Sequence, residues 1–149
     1  MTKSLTKNKI PINSIKDHVD ILESFLKQDI PLDLSYSLTQ PIKFRALIVS
    51  ELKNFYNKGR EIIEQILTIS PMFAPKAIGY YAQLTDKIII TAMENVIKFI
   101  HPISNPTNSE RICVIAVGGY GRNEMAPFSD IDLLFITPYK QTAWGESVI

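Results

Sequence analysis

The stretch ICVIAVGGYGRNEMAPFSDIDLLFI, residues 112–136, contains the features that decide the fold of the chain. Its two ends, ICVIAV at 112–117 and IDLLFI at 131–136, are short runs of β-branched and other apolar residues next to glycine or proline. Runs of this length and composition are typical of buried strands. Between them lie two consecutive glycines, an arginine and two aspartates separated by one residue. We therefore predict two strands joined by a segment that carries polar chemistry.

The residues before this stretch follow a helical pattern. From about Ser14 to His101, apolar residues recur at spacings of three and four, which indicates amphipathic helices. One long helix is predicted to open at Pro41, to be interrupted at Gly59 and to end at SPMFAP, residues 70–75, because prolines stop helices. A further helix is predicted to follow it.

Length and element order define the expected domain organisation. The 149 residues are enough for one ordinary domain but short for two. We divide the chain into a flexible tail at 1–13, a helical region at 14–110 and the incomplete start of a sheet domain at 111–149, which is an α+β arrangement. QTAWGESVI, residues 141–149, is predicted to begin a helix. Since two strands alone leave unpaired edges, the chain is expected to be a fragment of a longer protein.

The charge and cysteine content argue against several classes of protein. Sixteen basic and fifteen acidic residues give a formal net charge of +1, so we expect no bulk attraction to nucleic acid or to a membrane surface. No apolar run approaches the roughly 20 residues of a membrane span. The single cysteine, Cys113, lies in an apolar run and is expected to be a small buried residue in a reducing compartment. We predict a cytoplasmic protein.

Asp130 and Asp132 form the predicted metal site. Strand side chains two residues apart point to one face with Cα atoms roughly 6.5 Å apart, whereas Ile131 would point into the opposite layer. Two adjacent carboxylates are costly unless a cation neutralises them, and hard oxygen ligands suit Mg²⁺ or Mn²⁺ held together with substrate phosphates. Two aspartates near a strand can also be no more than a turn residue and a cap.

Gly118, Gly119 and Arg122 form the predicted phosphate site. Backbone amides without side chains can turn toward a phosphate, and a guanidinium offers a permanent charge with forked donors. With the aspartate pair they describe in-line displacement at a nucleoside triphosphate, in which a hydroxyl attacks the α-phosphorus. Arg122 could instead form a surface ion pair with Glu124 or Asp130.

The order GGYGR, a glutamate two residues later, a proline and then SDIDLL resembles the nucleotidyltransferase domain of the PII uridylyltransferases. These enzymes belong to the polymerase-β-like superfamily, and the likeness runs from about Val117 to Ile136. The resemblance implies a mixed sheet, UTP as the donor, a tyrosine hydroxyl of the PII signalling protein as the acceptor, and release of pyrophosphate.

The same resemblance implies roles for individual residues. Gly118 and Gly119 would form the triphosphate-binding turn, and Asp130 and Asp132 would be the catalytic metal ligands. The superfamily normally completes its metal site with a third carboxylate from a later strand. The only acid after Asp132 is Glu146, which lies in the predicted last helix and is not assigned to the site. The sequence also has an asparagine, residue 123, where the family commonly has glycine.

Other functions share parts of this pattern. A dinucleotide-binding G-x-G-x-x-G motif fails because Glu124 occupies the third glycine position. Glycosyltransferases and phosphatases with a D-x-D pair commonly place it after an apolar strand, whereas here the apolar run comes second. Two alternatives stay open: an adenylyltransferase of the same superfamily that acts on glutamine synthetase, and a non-catalytic nucleotide-binding or helical interaction module. Tyr120 could either touch a nucleotide or pack against the helical layer.

Overall fold

The computed structural model describes residues 14–36, 40–138 and 141–149, and the tail predicted at 1–13 lies outside these ranges. The elements are helices α1 (Ile15–Leu26), α2 (Pro41–Ile69) and α3 (Ala74–Asn95), strand β1 (Cys113–Ala116), the single turn α4 (Gly118–Gly121), strand β2 (Leu133–Ile136) and helix α5 (Ala143–Val148). Helices followed by a small sheet confirm the α+β class. The wider mixed sheet stays a prediction, because the described residues form one antiparallel pair.

The ends of α1 and α5 follow from local capping. The Ser14 hydroxyl accepts a hydrogen bond from the Asp17 backbone N–H at 3.2 Å, while the Asp17 carboxylate accepts one from the Ser14 N–H at 3.2 Å. This reciprocal pair satisfies two N–H groups at the helix start, as predicted at Ser14. The predicted last helix is confirmed as α5, where Thr142 Oγ1 accepts from the Gly145 N–H at 3.1 Å. Trp144 Nε1 donates to the carbonyl of His101 at 2.6 Å and ties α5 to the helical region.

The interruption predicted at Gly59 is wrong. Helix α2 runs unbroken over 29 residues, and Gly59 is buried within it. A Cβ atom at Gly59 would lie 2.6 Å from Leu84 Cδ1 and 3.1 Å from Phe25 Cε1. The glycine therefore lets α1 and α3 approach α2 closely. A glycine in a helical pattern signals either a break or such an approach, and the sequence does not distinguish them.

The boundary between α2 and α3 lies at the predicted prolines. The Ser70 N–H donates to the Ile66 carbonyl at 2.9 Å and closes α2, and a short 3₁₀ turn at Pro71–Phe73 leads into α3. After α3 the chain continues as a π-helical turn, Val96–Ile100. Among the described residues, no helix has both the length and the apolar character needed to cross a membrane.

The hydrophobic core lies between α1, α2 and α3. Phe25 and Phe55 stack at its centre with ring centroids 4.3 Å apart. The fully buried side chains of this core include Leu22, Ile63, Ile66, Tyr81 and Leu84. Tyr120 and Met125, which lie between the two strands, belong to the same core. The segment that carries the predicted site is therefore packed onto the helices.

The two strands pair in antiparallel register, with Cys113 opposite Ile136 and Ala116 opposite Leu133. Exposure alternates along both, and the exposed set shares one face: Cys113, Ile115, Leu134 and Ile136. The prediction of buried strands is therefore wrong for this face, and so is the prediction of a buried Cys113. Both failed because burial depends on what covers the sheet, which the local apolar pattern does not contain.

Candidate functional site

The chain leaves β1 through a turn that requires glycine. The Val117 N–H donates to the Asp132 carbonyl at 3.1 Å, which extends the strand pairing by one residue beyond β1 and β2. At Gly118 the backbone then takes a φ of 61°, in the left-handed region that costs other residues about 1–2 kcal/mol. The direction of the chain into α4 is therefore set by Gly118.

The other two glycines of GGYG are required by close backbone contacts. A Cβ atom at Gly119 would lie 2.9 Å from the carbonyl oxygen of Glu124, and one at Gly121 would overlap the Ala116 carbonyl. The Glu124 N–H also donates to the Gly119 carbonyl at 2.9 Å. The segment folds back on itself so tightly that side chains at these positions do not fit.

Asp132 lies directly against Gly118. A Cβ atom at Gly118 would be 2.6 Å from Asp132 Oδ2 and 3.5 Å from its Cγ. The carboxylate thus occupies the space that a side chain at residue 118 would need. The structure therefore brings one of the predicted metal ligands together with the predicted phosphate-binding turn.

Asp130 and Asp132 precede the second strand instead of lying on it. Strand β2 begins at Leu133, whereas the sequence predicted a strand from 131, and Ile131 is 41% exposed instead of packed into the opposite layer. Strand β2 starts late because the chain turns away from the sheet at Gly118, so residues before Asp132 have no partner on the first strand. Strand alternation consequently does not determine where the two acids point, since both lie just before β2.

The two aspartates have the exposure and freedom expected of metal ligands. Both are exposed, and the salt bridges among the described residues involve other acids, namely Glu64, Asp29 and Glu124. Exposed carboxylates without a cationic neighbour suit a hard divalent ion. The described ranges contain no group of three His, Cys, Asp or Glu side chains that could hold a metal.

Arg122 bridges the two ends of the glycine segment. Its Nε donates to Glu124 Oε2 at 3.1 Å, and one terminal nitrogen donates to the Gly118 carbonyl at 2.9 Å. The ion pair with Glu124, one of the two readings of this arginine, is confirmed. Both side chains are more than half exposed, and such pairs contribute about 0–1 kcal/mol. A phosphate could therefore replace Glu124 at little cost, and phosphate binding by Arg122 stays a prediction.

Tyr120 faces the helices. It is 6% exposed, and its hydroxyl donates to Asp86 Oδ1 of α3 at 2.6 Å. Burial, followed by the hydrogen bond to Asp86, raises the pKa of the Tyr120 phenol well above its usual range. Of the two readings of this tyrosine, packing against the helical layer is confirmed.

Helix α3 holds the far end of the segment as well. The Met125 N–H donates to the Ile78 carbonyl at 3.3 Å. The side chain of Asn123 lies against Gly79, and a Cβ atom at Gly79 would be 3.2 Å from Asn123 Nδ2. Sequence reasoning missed these contacts and also Asp86. The glycine inside the α3 pattern was an available signal, since an interior helical glycine often marks a close approach. Nothing in the local pattern singled out Asp86.

Asn123 has a φ of 60°, again in the left-handed region. Asparagine tolerates this region better than other residues that carry a side chain. Glycine and asparagine are therefore the residues that fit this turn with little strain, so the backbone accommodates an asparagine where the resemblance predicts glycine.

Comparisons with known proteins give close matches to a part of one kind of enzyme. The chain is 50% identical over 105 residues to a bifunctional uridylyltransferase/uridylyl-removing enzyme of Ruegeria pomeroyi, which covers 70% of this chain and 12% of that protein. The same kind of enzyme from Cereibacter sphaeroides is 43% identical over 109 residues, covering 73% and 12%. The one from Erythrobacter litoralis is 38% identical over 106 residues, covering 71% and 12%. The matched part is thus about an eighth of these relatives. No family model and no solved structure matches the chain.

Proposed function

We propose that this chain, which is related in sequence to a segment of the bifunctional uridylyltransferase/uridylyl-removing enzymes, forms part of a uridylyltransferase active site. The reaction we propose is the transfer of UMP from UTP to a tyrosine of the PII signalling protein in the cytoplasm. The names of the relatives favour uridylyl transfer and give no support to the adenylyltransferase alternative.

The observation that carries the proposal is the contact between Asp132 and Gly118. The carboxylate of Asp132 could bind the metal ion, and the adjacent turn at Gly118 could bind the phosphates that the metal ion contacts. The lack of a basic partner at both aspartates in the described residues supports the same reading, because their charges are not already neutralised.

Each site residue has a separate role in the proposed reaction. Asp130 and Asp132 would hold Mg²⁺ or Mn²⁺, which neutralises charge on the phosphates and makes the α-phosphorus easier to attack. Gly118 and Gly119 would offer the backbone amides of their turn to the polyphosphate, and Arg122 would bind its oxygens. The acceptor oxygen forms a bond to the α-phosphorus and its proton passes to water, while the bond between the α-phosphorus and the leaving pyrophosphate breaks.

A binding experiment on the chain tests this site. Calorimetry with UTP, with and without Mg²⁺, should give metal-dependent binding that the double variant Asp130→Asn, Asp132→Asn loses. Asp20→Asn removes an exposed carboxylate on α1 and serves as the matched control, which should bind UTP like the original chain. Equal UTP binding by the original chain and the double variant would refute the metal site. Tighter binding of ATP than of UTP would favour the adenylyltransferase.

Transfer itself is tested in a complete relative. In the Ruegeria pomeroyi enzyme, the equivalent double substitution should abolish transfer of labelled UMP to a PII tyrosine. Transfer that persists would overturn the proposed mechanism. Metal-dependent UTP binding by this chain, without any transfer of UMP to PII, would instead support the non-catalytic alternative.

A further inference from the structure

We propose that Asp86, in the helical region, is a positioning residue for the triphosphate turn and acts through Tyr120. The inference rests on the function proposed above and extends it, because it assigns to α3 a part in nucleotide binding. Asp86 itself does not need to touch the nucleotide.

The Tyr120 hydroxyl donates a hydrogen bond to the carboxylate of Asp86. Tyr120 is the residue after Gly119, its ring is buried in the core, and its hydroxyl reaches Asp86 Oδ1 at 2.6 Å. Asp86 is exposed, so it can offer a charged acceptor to the phenol without complete loss of its own hydration. Hydrogen bonds to charged groups are shorter and stronger than neutral ones. This bond therefore fixes the side chain of Tyr120, which directly follows the predicted phosphate-binding residues Gly118 and Gly119.

Helix α4 has little helical stability of its own. It comprises only Gly118–Gly121, a single turn, and three of its four residues are glycine. A single helical turn is unfavourable in isolation because few hydrogen bonds offset the loss of backbone freedom, and glycine increases that loss. Tyr120 is the residue of α4 that has a side chain, so it is the side-chain anchor of the turn.

Open space borders the Tyr120 side chain. A cleft of about 550 Å³ lies between α3 and the sheet, and Tyr120 and Asp86 line it together with Met93, Ala116 and Leu133. The far end of the segment is held separately, by the Met125 bond to Ile78. Loss of the Asp86 contact would therefore release α4 while the chain beyond it stays attached. A less ordered turn binds its ligand more weakly, because binding must then order it.

Four single variants of the chain test the inference. Asp86→Ala removes the acceptor and Tyr120→Phe removes the donor but keeps the ring. Asp86→Asn keeps a carbonyl oxygen that can accept the hydrogen bond. Glu94→Ala removes another exposed carboxylate of α3 and is the matched control. For each we measure the affinity for UTP with Mg²⁺ by calorimetry and the hydrogen exchange of the Gly121 and Arg122 amides, which are bonded to the carbonyls of Val117 and Gly119.

Asp86→Ala and Tyr120→Phe should each raise exchange at these amides and weaken UTP binding by about tenfold, in line with a hydrogen bond to a charged group. The two changes combined should cost no more than either alone, since they remove the same interaction. Asp86→Asn should restore part of the protection and affinity, because its carbonyl oxygen accepts a weaker, neutral hydrogen bond. Glu94→Ala should change neither measurement.

Three results would overturn the proposal. The first is unchanged exchange at Gly121 and Arg122 in Asp86→Ala. The second is a uniform rise of exchange through α1, α2 and α3, which marks general destabilisation. The third is faster exchange in α4 with unaltered UTP affinity. If the original chain itself binds no UTP, the proposed function fails for this chain, and the exchange measurement still decides whether Asp86 positions α4.

Discussion

The carboxylate of Asp132 lies where a side chain at residue 118 would begin, 2.6 Å from the Cβ position of Gly118. The two residues are 14 positions apart in the sequence, and the hydrogen bond from the N–H of Val117, the neighbour of Gly118, to the Asp132 carbonyl holds them together. Because of this contact, the turn at Gly118 and the carboxylate of Asp132 belong to one local structure.

Gly118→Ala should impair both folding and binding. The φ of 61° costs an alanine about 1–2 kcal/mol, and its Cβ would push the Asp132 carboxylate away. We expect a free energy of unfolding lowered by that amount in urea denaturation, and loss of metal-dependent UTP binding. Gly145→Ala is the control, since its Cβ would meet its nearest neighbour, Thr142 Oγ1, at 3.4 Å, and it should cost little. Normal UTP binding by Gly118→Ala would contradict the importance of this contact.

Asn123→Ala should destabilise the chain by about 1 kcal/mol, because alanine is strained at a φ of 60°. It also removes the amide that lies against Gly79. Asn123→Gly should cost less than Asn123→Ala, because glycine adopts this conformation without strain. Chemical denaturation of the three proteins measures the difference. If both variants were equally unstable, the side-chain contact would dominate and backbone strain would not be the cause.

Gly59→Ala should destabilise the core although alanine is the better helix former. The propensity gain is about 1 kcal/mol, but the added methyl would lie 2.6 Å from Leu84 Cδ1, and overpacking typically costs about 1–3 kcal/mol. Leu84 is fully buried and has little room to move. We expect a net loss of about 1 kcal/mol in urea denaturation. In a Leu84→Ala background the same change should become neutral or favourable, and a persistent loss there would point to a different cause.

Stability should fall as the pH rises above about 10, the ordinary pKa of a tyrosine. The phenols of Tyr120, Tyr80 and Tyr81 have raised pKa values in the folded chain, in each case first because of burial. The folded state therefore holds protons that the unfolded state releases. For each such tyrosine, the free energy of unfolding falls by up to about 1.4 kcal/mol for every pH unit. Below about pH 10 this contribution is fully present.

Tyr120→Phe provides the comparison for that pH profile. Without the phenol, the free energy of unfolding should decline less steeply at high pH than in the original chain. Denaturation in urea at several pH values between neutrality and strongly alkaline conditions measures both slopes. Identical slopes in the two proteins would show that Tyr120 does not release its proton later in the folded state.

The sequence predicted those features that depend on local pattern. Apolar spacing and prolines predicted the helical region and the start of α2 at Pro41, and the glycine pair predicted a turn after β1. Glycine conformational demands are local, so the turn at Gly118 could be inferred from residue type. The nucleotide-binding and metal roles of the site residues remain predictions that the binding experiments address.

The features that the sequence did not predict depend on distant partners. Gly59 continues a helix because Leu84 and Phe25 pack against it, and a glycine alone does not reveal its neighbours. The bond between Tyr120 and Asp86 joins residues 34 positions apart and leaves no periodic signal. The exposure of one face of the sheet likewise depends on which other elements cover that face, and the strand sequences do not contain this information.

The hydrogen bond from Val117 to Asp132 also couples the correct assembly of the site to correct pairing of the strands. A slip of the second strand by one residue would turn each of its side chains to the opposite face. The carboxylate of Asp132 would then leave Gly118 even though the chain remained compact. A chain with misaligned strands would therefore lack the contact between Asp132 and Gly118. Conversely, that contact indicates that the two strands are paired in the observed register.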